Sequence, residues 1–148
     1  VLAINNLQDD EILNIYLATE GGTHNSIYPI VDILLRYKDK INLYLDYVMY
    51  SAGFLILLYI RSIPIKLKPS FRNAMIHTMY FDVNTADTRK REDEKELKNR
   101  NTSIYEKLKT IGFTPNELKK FKNQQDVYIS KERLLELFPN ITEQIYEL

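Results

Sequence analysis

Three side chains in this chain have the types that acyl-transfer chemistry needs: Ser51, His77 and Asp126. Each lies near one end of a stretch that reads as a β-strand. A serine hydroxyl is a poor nucleophile until a base takes its proton, and an imidazole titrates near neutrality and can take it. A buried carboxylate holds that imidazole in the right tautomer and stabilises the imidazolium. Ser51 stands in Tyr50-Ser51-Ala52-Gly53-Phe54, between a strand and an apolar helix. The N–H groups of a first helical turn have no intrahelical acceptor, so they can stabilise an oxyanion. Gly53 lets the start of that helix pack closely. Gly21-Gly22 close an earlier strand. Ligands of open α/β sheets collect outside the carboxyl ends of the strands; Gly21-Gly22 and Ser51 follow strands, His77 ends one and Asp126 opens one.

Taken singly, each residue also has a plainer reading. Ser51 is a helix N-cap, His77 a hydrogen-bonded core residue, Asp126 a turn or cap residue and Gly21-Gly22 a turn. No GxGxxG or Walker spacing surrounds the glycines, and His24 reads as a loop residue without a role. Composition narrows the chemistry further. The 148 residues hold no Cys and only two His, which excludes disulfides, thiolate catalysis and Cys-based zinc sites and argues against a His-rich metal centre. Lys and Arg number 20, as do Asp and Glu, so the electrostatic footprint of a nucleic-acid binder is missing.

The elements that must position these residues are short. Ile12 to Ala18 reads as a strand ending at Gly21-Gly22. From Ser26 to Lys38, apolar residues at helical spacing predict a helix with one buried face, with Pro29 in its first turn. Ile41 to Val48 predicts a second strand, completing a βαβ unit. Ser51 to Tyr59 predicts a buried helix. Its apolar run of nine residues, Ala52 to Ile60, is too short for a bilayer that needs about 20. Short strands follow near Ile63–Leu67 and Ala74–Thr78. Thr85 to Lys109 is dense in charge and predicts a long solvated helix ended by Gly112. Thr114-Pro115-Asn116-Glu117 has capping-box spacing. Asp126 to Ile129 predicts a strand, and Ser130 the cap of a last amphipathic helix. The pattern is that of one α/β domain over residues 1–148 with a largely parallel sheet. The chain starts Val1-Leu2-Ala3, and no basic region ahead of an apolar stretch marks a signal peptide.

Glu20-Gly21-Gly22 after a strand, Tyr50-Ser51-Ala52-Gly53-Phe54 before an apolar helix, Met75-Ile76-His77 and Asp126-Val127-Tyr128-Ile129-Ser130 follow one another in this order. Together they resemble the ATP-dependent Clp protease proteolytic subunit (ClpP) family, within the wider ClpP/crotonase superfamily, from about Ile12 to the last helix. The resemblance implies repeated β-β-α units with a mainly parallel sheet and a long projecting helix. It implies Ser51 as nucleophile, His77 as general base, Asp126 as triad acid, and the backbone N–H groups of Gly22 and Ala52 as oxyanion hole. It implies a serine peptidase with no metal or organic cofactor, acting on peptides or unfolded proteins. Implied partners are copies of the chain itself and an ATP-dependent unfoldase, with no nucleic acid and no membrane. The implied compartment is the cytoplasm, with an organelle or an AT-rich viral source left open by the abundance of Lys, Asn, Ile and Tyr.

Several positions depart from the family pattern. Thr19-Glu20 replace Ser-Pro, Tyr47 and Tyr50 replace small residues before the nucleophile, and Thr78-Met79 replace Gln-Pro. A Gly-rich stretch is replaced by the Gly-free Tyr80 to Arg91, and the family's amino-terminal region has no counterpart. Two alternatives follow: a catalytically impaired structural or regulatory subunit, and a crotonase-like acyl-CoA enzyme. If the chain assembles as the family does, Ile104, Tyr105 and Leu108 should be buried at the base of the charged helix.

Overall fold

In the computed structural model, described for residues 4, 6–80 and 90–145, the chain forms two compact units. The first comprises 1–76 with 128–148, the second 77–127.

The first unit is built on β2, Ile41–Tyr50, whose residues Ile41, Leu43, Leu45, Val48 and Met49 are buried. Up to Leu45 the burial alternates, with Asn42 exposed and Tyr44 half-buried, as in a strand with one face on the core; past Tyr47, Val48 and Met49 are both buried. β1, Leu13–Thr19, runs parallel to one edge of β2, pairing Leu13 with Ile41 through Leu17 with Leu45. Thr19 then pairs with Met49, so β2 advances four residues while β1 advances two. The surplus is a bulge at Asp46-Tyr47, where Tyr47 takes a φ of 62°.

The other edge of β2 changes partner at the same place. Before the bulge it pairs with β3, Ile65–Leu67; after it, with β4, Asn73–Ile76, both parallel. The connection between β3 and β4 is tied to the bulge. Lys68 N–H donates to Leu45 O at 3.0 Å and Arg72 N–H to Tyr47 O at 2.7 Å. The Ser70 hydroxyl donates to the Asp46 carboxylate, with Lys68 Nζ 3.5 Å from it. The Arg72 guanidinium lies 4.6 Å from the centroid of the Tyr47 ring. The sheet is completed by β5, Val127–Ser130, beside β4, and by β6, Ile141–Glu143, parallel to β3.

The helices follow their apolar patterns. α1, Ile27–Arg36, buries Ile27, Val31 and Leu34 on one face and packs on α2, Ala52–Tyr59, which is buried from Ala52 through Leu58. Pro29 sits in the first turn of α1, where a missing N–H costs nothing. Phe54 of α2 meets Phe138 edge-on, ring centroids 5.7 Å apart.

In the second unit, α3 spans Lys90–Ile111 and ends at Gly112, whose φ of 115° suits only glycine without strain. Of the expected helix from Thr85 to Lys109, residues 85–89 lie outside the described ones. Ile104 and Leu108 are buried within the chain itself, and Tyr105 is half-buried. α4, Pro115–Lys122, carries the complete capping box: Glu117 N–H donates to Thr114 Oγ1 and Thr114 N–H to Glu117 Oε1. α5, Lys131–Leu137, belongs to the first unit and is capped by Ser130 Oγ, which accepts Arg133 N–H.

Some strand ends differ from the sequence reading. β4 stops at Ile76, one residue past Met75, which stands opposite Tyr50, the last residue of β2. β3 starts at Ile65, because Ile63 N–H is spent on a turn bond to Ile60 O. The last helix is followed by β6, which sequence reading missed: it is three residues long and buries Ile141 alone. Among the described residues, no helix is long and apolar enough to cross a membrane.

Candidate active site

Ser51 follows the last residue of β2 with φ 53° and ψ −114°, a backbone conformation that L-residues rarely take. Such a conformation costs on the order of 1–3 kcal/mol and persists only where the surroundings impose it. They do so here through Ser51 N–H, which donates to Met75 O of β4 at 2.7 Å, and Ser51 O, which accepts Leu55 N–H at 3.2 Å. The hydroxyl does not cap α2. The plainer reading of Ser51 as an N-cap is therefore set aside: the half-buried residue marks a sharp strand-to-helix turn, and its hydroxyl makes no capping bond to the helix.

The two glycines after β1 lie against this turn. Gly21 has φ 119°, and a Cβ built on it would stand 3.0 Å from Ser51 Cβ and 3.5 Å from Ser51 Oγ. Nothing lies within 4 Å of where a Gly22 Cβ would be. The start of α2 closes the arrangement: a Cβ on Gly53 would fall 2.4 Å from Thr19 Cγ2, so only glycine lets the helix approach the end of β1 this closely. The N–H groups of Gly22 and Ala52 have no acceptor among the described residues. Ala52 is at the positive end of α2, where the peptide dipoles favour a developing negative charge.

Tyr50 and Tyr47, the bulky residues before Ser51, are each engaged elsewhere. Tyr50 Oη donates to Asn73 Oδ1 at 2.6 Å, and its ring meets Tyr128 edge-on at 6.1 Å. Tyr47 lies under Arg72.

His77 and Asp126 belong to the second unit, Ser51, Gly22 and Ala52 to the first. His77 is the first residue past β4, half-buried, its ring 5.5 Å from that of Tyr80. The segment after it is clamped to α3 by Asn101, which accepts Met79 N–H at 2.8 Å and donates to Met79 O at 3.1 Å. Asp126 is exposed and directly precedes β5, one residue outside the strand expected to begin with it. Among the described residues, no group of three His, Cys, Asp or Glu is placed to hold a metal ion.

Sequence reading missed Thr19 and Asn101 as holders of site segments. A hydroxyl two residues before a glycine is a local turn signal, so Thr19 was detectable. Asn101 lies 22 residues from Met79, and no local pattern announces that pairing.

No family model matches this chain, and no curated protein does. Among solved structures, it is similar to a mutant of ClpP1 from Listeria monocytogenes, with a TM-score of 0.62 and 17% sequence identity, over 92% of this chain and 76% of that one. The likeness supports the mixed α/β architecture expected from the motif order: the fold of this chain is ClpP-like.

Proposed function

We propose that this chain is a serine peptidase that cleaves peptides or unfolded proteins through Ser51, His77 and Asp126. The observation that carries the reading is the turn at Ser51: a strained residue between a strand and a buried helix, its hydroxyl not used as a cap, against a Gly-Gly turn. The ClpP-like fold adds support at the level of architecture.

In the proposed mechanism, Ser51 Oγ attacks the peptide carbonyl carbon while His77 takes the hydroxyl proton. Negative charge moves to the carbonyl oxygen, where the N–H groups of Gly22 and Ala52 receive it. Loss of one such donor costs about 10²–10³ in rate in comparable sites. The C–N bond then breaks, His77 returns the proton to the leaving amine, and an ester to Ser51 remains. Water attacks that ester with His77 again as base, which releases the acid and restores the hydroxyl. Asp126 orients the imidazole and balances its positive charge. No step calls for a metal or an organic cofactor. We further propose self-association, with a single ring or smaller oligomer at least as favoured as a double ring, and an ATP-dependent unfoldase as partner.

The exposure of Asp126 favours one rival, a subunit with this fold but little activity, because an exposed carboxylate holds an imidazole less firmly than a buried one. Turnover of fluorogenic short peptides by the purified chain decides between them. Hydrolysis that disappears in Ser51→Ala supports the peptidase. A folded chain without hydrolysis, or hydrolysis that survives Ser51→Ala, overturns it.

A further inference from the structure

We propose that Thr19 is a positioning residue that holds the two sides of the candidate oxyanion site together. The role assigned to that site rests on the peptidase reading. Thr19 is the last residue of β1, opposite Met49 and half-buried. Its hydroxyl oxygen accepts Gly21 N–H at 3.1 Å, and its O–H donates to Gly21 O at 3.4 Å. Its Cγ2 methyl lies 2.4 Å from where a Gly53 Cβ would be, in the first turn of α2. One side chain therefore touches the Gly-Gly turn with its hydroxyl and the nucleophile's helix with its methyl.

The physical need for such a residue is local. Gly21 has no side chain and explores backbone space freely, yet Gly22 N–H must point to one place to receive charge. Gly21 packs on Ser51, so a turn that drifts also loses its alignment with the nucleophile. A bond from Gly21 N–H to the preceding strand removes that freedom. The methyl, seated against glycine, fixes the distance between β1 and α2 and thus between the Gly22 and Ala52 donors. Serine supplies the hydroxyl alone, valine the methyl alone; threonine supplies both. Thr19 contacts no reacting atom in this scheme, and its effect passes through the turn.

Thr19→Val and Thr19→Ser separate the two contacts. Three readouts are taken on each variant: the rate of Ser51 labelling by a fluorophosphonate, kcat and KM for a fluorogenic peptide, and amide hydrogen exchange at Gly21. In Thr19→Val, exchange at Gly21 should accelerate, and labelling and kcat should fall roughly tenfold or more with little change in KM, as expected when a group is displaced from its productive position. Thr19→Ser should keep slow exchange at Gly21 and lose only a few-fold in labelling rate, through the lost methyl spacing of β1 and α2. Unchanged exchange and labelling in Thr19→Val overturn the proposal. Equal losses in both variants, with lowered melting temperatures, also overturn it by making Thr19 a packing residue. If the unmodified chain fails to label at Ser51, the peptidase reading falls by itself. Gly21 exchange then still decides whether Thr19 holds the turn.

Discussion

At the scale of single residues, the site depends on places where the backbone leaves no room or no freedom. Gly53 is one: replacement by Ala drives a Cβ to 2.4 Å from Thr19 Cγ2, and either β1 or α2 must move. Gly53→Ala should cost about 1–3 kcal/mol, as other overpacked sites do, read from urea denaturation midpoints. It should also slow chemistry at Ser51, because the displaced helix carries the proposed Ala52 donor. Ser51→Ala and His77→Ala should each remove most peptide turnover, with the double variant little worse than either single one, because triad members act as a unit. Additive losses measured in steady-state kinetics would assign the two residues independent roles. The residue types and their order were legible in the sequence. The strain at Ser51 was not, because φ there is set in part by the bond to Met75 of β4, 24 residues on, which forms only in the folded sheet.

At the scale of elements, the bulge in β2 organises the route to Ser51. It divides β2 into a half paired with β3 and a half paired with β4, and β4 leads to His77. The Asp46 carboxyl, held by the Ser70 hydroxyl and, against some desolvation, by nearby Lys68, titrates below its usual value of 3.8. A lowered folded-state pKa means that its contribution is complete above the unfolded value and is lost as pH falls through the folded one. Stability should therefore drop below about pH 4 by more in the native chain than in Asp46→Asn. Because Asp46 is partly exposed, the difference should stay within about 1 kcal/mol, measured by denaturant titration between pH 5 and 3. The strands, the buried helix and the Thr114 capping box could be read from local periodicity and cap chemistry. The bulge and β6 could not: one arises where a strand exchanges partners distant in sequence, the other rests on Ile141 alone.

At the scale of the whole molecule, the order of motifs was enough to anticipate a ClpP-like fold at a level of identity, 17% to the ClpP1 structure, where similarity in sequence alone says little. Assembly is a separate matter. The proposed self-association should appear in light scattering at micromolar concentration as a mass above the 17.5 kDa of one chain. A strictly monomeric species that still cleaves peptides would refute assembly and spare the triad. The central claim, that Ser51 is a nucleophile activated by His77, is tested most directly by a fluorophosphonate probe followed by peptide mapping. The account predicts a single stoichiometric adduct on Ser51, formed much more slowly in His77→Ala. A folded chain that takes no adduct at Ser51, or labels there equally fast without His77, would contradict it.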